Sequence, residues 1–114
     1  MPLIRVQTSQ PEPQNVNDLL QTLSAKLAGY LRKPESYVMT SFQGGVPMTF
    51  GGTFDPVCFI EVKSIGQMSN RQTQEMSADF CEVIANNLDV PPNRIYIDFA
   101  DAEGYLWGWN SSTF

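Results

Sequence analysis

The chain has 114 residues, 42% apolar and 17% charged, the balance of one folded globular domain with little length left for a second. A net charge of −5 and a pI near 4.4 argue against nucleic acid, because phosphate binding needs clustered cations and here only Arg32 and Lys33 are adjacent. No apolar run approaches the roughly 20 residues of a membrane span, and no basic segment leading into an apolar one opens the chain. The expectation is a cytoplasmic protein, with any release proceeding without a signal peptide.

The residue inventory narrows the chemistry further. Histidine is absent, and Cys58 and Cys81 form no C-x-x-C motif. Zinc therefore loses its usual ligand set, and Ser–His or Cys–His nucleophile pairs are impossible. No metal and no cofactor are expected. Catalysis, if present, falls to carboxylates, lysine, tyrosine or the amino terminus.

Leu3 to Thr8 (LIRVQT) is apolar and β-branched and predicts a strand, followed by a proline-rich turn over Ser9 to Pro13. Val16, Leu19, Leu20, Leu23, Leu27, Tyr30 and Leu31 follow helical spacing. Asn15 or Asn17 is the candidate cap, and Pro34 the stop. Tyr37 to Phe42 predicts a second strand. Gln43 to Pro56 is a turn-rich connection with four glycines and no Gly-Lys-Ser/Thr phosphate motif. Val57 to Ile65 predicts a third strand. A second helix, capped by Ser69 or Asn70, carries Met76, Phe80, Val83, Ile84 and Leu88 on one face. Pro91-Pro92 precede a fourth strand over Arg94 to Phe99, and Gly104 to Phe114 is expected to be extended.

The two halves match. Leu3–Thr8 lies over Phe59–Ser64, and Pro34–Phe42 over Pro91–Phe99. Each half is a β-α-β unit, with repeats at about 2–42 and 57–99 inside a single domain, 1–114. The implied fold class is α+β: a four-stranded mixed sheet with pseudo-twofold symmetry and both helices on one face. The opposite face is expected to be apolar and to need burial against further copies of the chain.

Pro2 would become the amino terminus once Met1 is removed, and its secondary amine could then act as a base. Met-Pro-Leu-Ile at the start, Lys33-Pro34, Met48 with Phe50-Gly51-Gly52, Ser64-Ile65-Gly66, Arg94-Ile-Tyr-Ile97, Gly108-Trp109-Asn110 and Ser112-Thr113-Phe114 together resemble the macrophage migration inhibitory factor family, of the amino-terminal-proline tautomerase superfamily. The resemblance implies a homotrimer with sites shared between subunits. It also implies cofactor-independent tautomerisation of phenylpyruvate-type 2-keto acids and isomerisation of dopachrome-like substrates. In that scheme Pro2 is the base, Lys33 binds the substrate carboxylate, and the Ile65 backbone helps hold substrate. Tyr96 comes from the neighbouring subunit, and Tyr37, Trp109 and Phe114 are aromatic positions in or beside the pocket.

This chain departs from the family pattern at several points. Asp98 stands where asparagine is common, and Trp107 where a smaller aliphatic is common. Val57 and Ile60 replace the cysteines tied to a thiol oxidoreductase activity. Glu12 and Gly45 occupy positions of an arginine and an aspartate used in receptor contacts. The alternative to the enzyme is a cytokine-like interaction protein with a vestigial pocket, and those last two residues do not supply its contact chemistry.

Overall fold

A computed structural model describes all residues, 1–114. In chain order the elements are β1 (Leu3–Thr8), α1 (Val16–Leu31), β2 (Met39–Gln43), β3 (Cys58–Ile65), α2 (Asn70–Leu88), β4 (Ile95–Ala102), β5 (Gly108–Trp109) and β6 (Ser112–Thr113). Four strands form one sheet in the order β2-β1-β3-β4. β1 runs parallel to β2, β3 runs parallel to β4, and the central β1–β3 pair is antiparallel. Each parallel pair is joined through a helix, as a parallel connection requires.

Alternation along the strands decides what the helices cover. Ile4 and Val6 of β1, with Cys58, Ile60 and Val62 of β3, point to one face and are buried. Leu19, Leu23, Leu27 and Leu31 of α1 and Met76, Phe80, Ile84 and Leu88 of α2 close over them. Each such side chain stabilises the fold by about 1.5–3 kcal/mol through burial. Between the helices, Asp79 accepts hydrogen bonds from Lys26 Nζ (3.0 and 3.1 Å) and from Tyr30 Oη (2.6 Å).

The helix ends show how sequence sets boundaries. Ser69 caps α2 with a reciprocal capping box, its hydroxyl accepting from Gln72 N while Gln72 Oε1 accepts from Ser69 N. Asn15 precedes α1 but makes no side-chain cap; its Nδ2 donates instead to Asn87 Oδ1 at 3.4 Å. α1 closes with Lys33 N donating to Ala28 O (3.0 Å) and Arg32 N to Gly29 O (3.4 Å), while Arg32 adopts φ +54°. That is a Schellman closure carried by an arginine in the left-handed region.

Three expectations need correction. The second strand starts at Met39, because Glu35–Tyr37 form a 3-10 turn stopped by extended Val38. The tail is not a simple extended segment: Gly104–Leu106 form a 3-10 turn, and β5 and β6 make a tight hairpin. Its two loop residues, Asn110 and Ser111, both have positive φ (51° and 64°), the requirement of a twist-matched two-residue loop. The helix-free sheet face is not mainly apolar. Arg5, Gln7, Ser41, Gln43, Glu61, Lys63 and Asp98 lie on it among Leu3, Met39, Phe59, Ile65, Tyr96, Ala100 and Ala102, and Glu61 pairs with Arg5 (3.8 Å) and Lys63 (3.9 Å).

Burial pushes the Asp79 carboxyl up, but the hydrogen bonds from Tyr30 and Lys26 and the Lys26 charge outweigh it and hold the group below its ordinary value. A carboxyl depressed in the folded state stabilises above its unfolded pKa and loses that contribution as pH falls through the folded pKa. Asp79→Asn should therefore destabilise by about 1 kcal/mol at pH 7 and progressively less below about pH 4. Thermal unfolding of both proteins across pH checks this; a pH-independent difference would contradict it.

Candidate active site

The amino terminus enters the sheet in its interior. Pro2 is fully buried, and its carbonyl accepts from Met39 N at 3.0 Å, extending the β1–β2 ladder to the chain end. Proline suits this position because a strand start needs no N–H from it. Two other segments converge here. The reversal at Arg32 brings Lys33 to the end of the inner strand β3, where Nζ donates to Ile65 O at 2.8 Å. An ammonium has three donors, so two remain for a ligand. Burial lowers the Met1 amine below its ordinary value, and the Lys33 charge lowers it further.

A cavity of about 280 Å³ opens at this terminus, lined by Met1, Pro2, Leu3, Tyr37, Met39, Trp107, Trp109 and Phe114 with three further residues. Its aromatic walls contact one another. Trp109 and Phe114 stack at 5.3 Å and 14°, and Tyr37 meets them edge-on at 5.5 and 6.0 Å. The hairpin delivers Trp109, and Phe114 N donates to Trp107 O at 3.2 Å. Gly104 admits the chain end, since a Cβ there would stand 3.0 Å from the Phe114 carbonyl carbon.

Of the residues singled out from the sequence, Pro2, Tyr37, Trp109 and Phe114 share this cavity, and Lys33 stands beside the amine. Ile65 receives Lys33 on its carbonyl but borders a different cavity of about 310 Å³. Tyr96 and Asp98 do not join. Leu3 pairs with Lys63, and Lys63 with Ala100. Tyr96 lies four residues back along β4, roughly 13 Å by strand rise, and two strands across. It is 64% exposed and borders a separate apolar cavity of about 420 Å³ with Met48, Phe50, Val57 and Phe59.

A family model described as macrophage migration inhibitory factor matches residues 1–114. A macrophage migration inhibitory factor homolog from Trichuris trichiura is 38% identical over 114 residues, covering all of both chains. The solved homologue from Prochlorococcus marinus is 55% identical with a TM-score of 0.95 over 98% of each chain, and that from Trichinella spiralis is 30% identical with a TM-score of 0.89 over 98% and 99%. The chain belongs to the macrophage migration inhibitory factor family.

Within this member of the family, the two departures near the pocket have different placements. Trp107 lines the Pro2 cavity directly, so its indole narrows the space beside the amine. Asp98 is exposed on the helix-free face opposite Glu61, away from its own Pro2. Met39 is a lining residue that sequence reasoning missed. Its signal was present: it follows the Lys33-Pro34 turn and opens the strand beside β1, which obliges it to meet Pro2. No helix is long and apolar enough to cross a membrane.

Because Lys33 helps lower the terminal amine, Lys33→Met should raise that amine's pKa and reduce its neutral fraction at pH 7. The pH dependence of amine acylation, read by mass spectrometry, checks this; an unshifted profile would remove Lys33 from the electrostatics of the terminus.

Proposed function

We propose that the chain, with Met1 removed, is a cofactor-independent keto–enol tautomerase acting on phenylpyruvate-type 2-keto acids and dopachrome-like substrates. The observation that carries this reading is the buried chain end, where burial and the Lys33 charge both depress an amine. With Met1 attached, the Pro2 nitrogen is an amide with no basic lone pair. Removing Met1 converts it to a secondary amine and vacates part of the cavity that Met1 lines.

A base works best with a pKa near the ambient pH. A solvated secondary amine is too basic, and an apolar pocket with a nearby cation corrects this by disfavouring its protonated form. In the ketone-to-enol direction, the Pro2 amine takes a proton from the carbon beside the carbonyl, the enolate oxygen acquires one from water, and the prolinium gives its proton to the hydroxide left behind, which restores the free amine. The reverse direction returns the proton from the prolinium to carbon. The two free donors of Lys33 hold the carboxylate and steady the charge that grows on the enolate. Tyr37, Trp109 and Phe114 supply apolar faces for the aryl group, and the Ile65 backbone borders the carboxylate end.

Tyr96 and Asp98 enter this scheme only from another copy of the chain, as in a homotrimer whose sites are shared between subunits. The distance between Pro2 and Tyr96 within one protomer supports that arrangement, since Tyr96 cannot reach its own cavity. Asp98, brought to an anionic substrate in this way, would weaken its binding and raise the Pro2 pKa.

Enol loss from hydroxyphenylpyruvate, followed by ultraviolet absorbance, tests the proposal. Pro2→Ala and an amino-terminal extension should each lower the rate by about 10²-fold or more; equal rates in all three proteins would refute it. Light scattering should give three times the 12.8 kDa of one chain, and a monomer mass would refute the shared site.

A further inference from the structure

Arg94 is heavily engaged, and the proposed reaction does not use it. Its Nε donates to Pro56 O (2.8 Å), one terminal nitrogen to Phe50 O (3.1 Å), and the other to Asp55 O (2.9 Å) and Thr53 O (3.3 Å). All four acceptors are main-chain carbonyls of one loop. That loop is a tight turn, closed by reciprocal 3.1 Å bonds between Phe50 and Thr53, with Gly51 and Gly52 at positive φ. A planar guanidinium matches such a spread of carbonyls, whereas an ammonium cannot.

The core does not need this investment. No residue from Thr49 to Asp55 is buried. What the loop does fix is one ring: Phe50 lies under the Arg94 guanidinium, 5.3 Å from carbon to ring centroid, and against Tyr96 with centroids 4.8 Å apart. The Phe50 and Tyr96 rings are tilted by 53°, so the Arg94 cation, the Phe50 ring and the Tyr96 ring form a continuous run of contacts, and both rings line the 420 Å³ cavity.

We infer that Arg94 is a positioning residue for the aryl end of the substrate. It locks Phe50, Phe50 locks the Tyr96 ring, and Tyr96 is thereby presented as a rigid wall to a neighbouring copy's Pro2 cavity. The inference rests on the shared-site tautomerase reading. Arg94 acts on substrate affinity and on preference for aryl over alkyl 2-keto acids, and leaves proton transfer at Pro2 alone.

The test uses the processed wild-type chain, Arg94→Met, Arg94→Lys and Phe50→Leu, each assayed with an aryl and an alkyl 2-keto acid. Aryl KM should rise about three- to tenfold in Arg94→Met and in Phe50→Leu, as expected for one lost aromatic contact. Arg94→Lys should fall between wild type and Arg94→Met. The alkyl KM and the pH–rate midpoint should hold still, which a purely structural role would not predict. If Arg94→Met dissociates the assembly, Phe50→Leu decides, because it leaves every carbonyl contact of Arg94 intact. An active wild type whose aryl KM is indifferent to Phe50→Leu refutes the role of Arg94 alone. A wild type without turnover refutes the tautomerase reading and this role with it.

Discussion

The structure depends on a free chain end held in the middle of a sheet. Chain termini ordinarily fray because nothing pairs with them. Here β1 is flanked on both sides, by β2 in parallel and β3 in antiparallel register, and pairing continues to the Pro2 carbonyl. Pro2 is thus fixed by main-chain hydrogen bonding, and with Met1 removed, as proposed, its amine would be held by the backbone rather than by a mobile side chain. Its surroundings can then be organised around a fixed point: a cation from the end of α1, aromatic walls from the tail hairpin, and Met39 from the adjacent strand.

The electrostatic setting is local rather than global. A chain with net charge −5 would, on average, favour protonation of an amine and repel an anion such as the proposed substrate. The Schellman closure counters both effects at one place by bringing Lys33 to the terminus. Its bond to the Ile65 carbonyl uses one donor and fixes the direction of the others. Burial and a like charge then act together on the amine, so neither has to be extreme.

The elements were largely legible because their apolar periods are clean: LIRVQT and CFIEVKSI alternate, and the two helices keep the 3.6 spacing. The same alternation places Arg5, Gln7, Glu61 and Lys63 on the helix-free face, so its mixed polar and apolar character is also legible in the sequence. The hairpin at Asn110-Ser111 was hidden because neither residue is the glycine that usually announces positive φ. In the candidate site, Pro2, Tyr37, Trp109 and Phe114, singled out through the family pattern, line one cavity. The scaffolding role of Arg94 was not, since its acceptors are main-chain carbonyls about 40 residues earlier, and no side-chain pattern encodes them. Asn15 failed as a cap for a similar reason, its amide being drawn to Asn87 on the other helix.

The most direct test of a depressed terminal amine as the base is the pH–rate profile of the processed protein. In the ketone-to-enol direction the base must be unprotonated, so the rate of enol formation should rise with pH through a midpoint set by Pro2. That midpoint should lie below the ordinary α-amino range of about 7.7–8.0, and the limb should disappear when the amine is acylated. A limb that survives acylation, or activity with no dependence on pH across that range, would contradict the account.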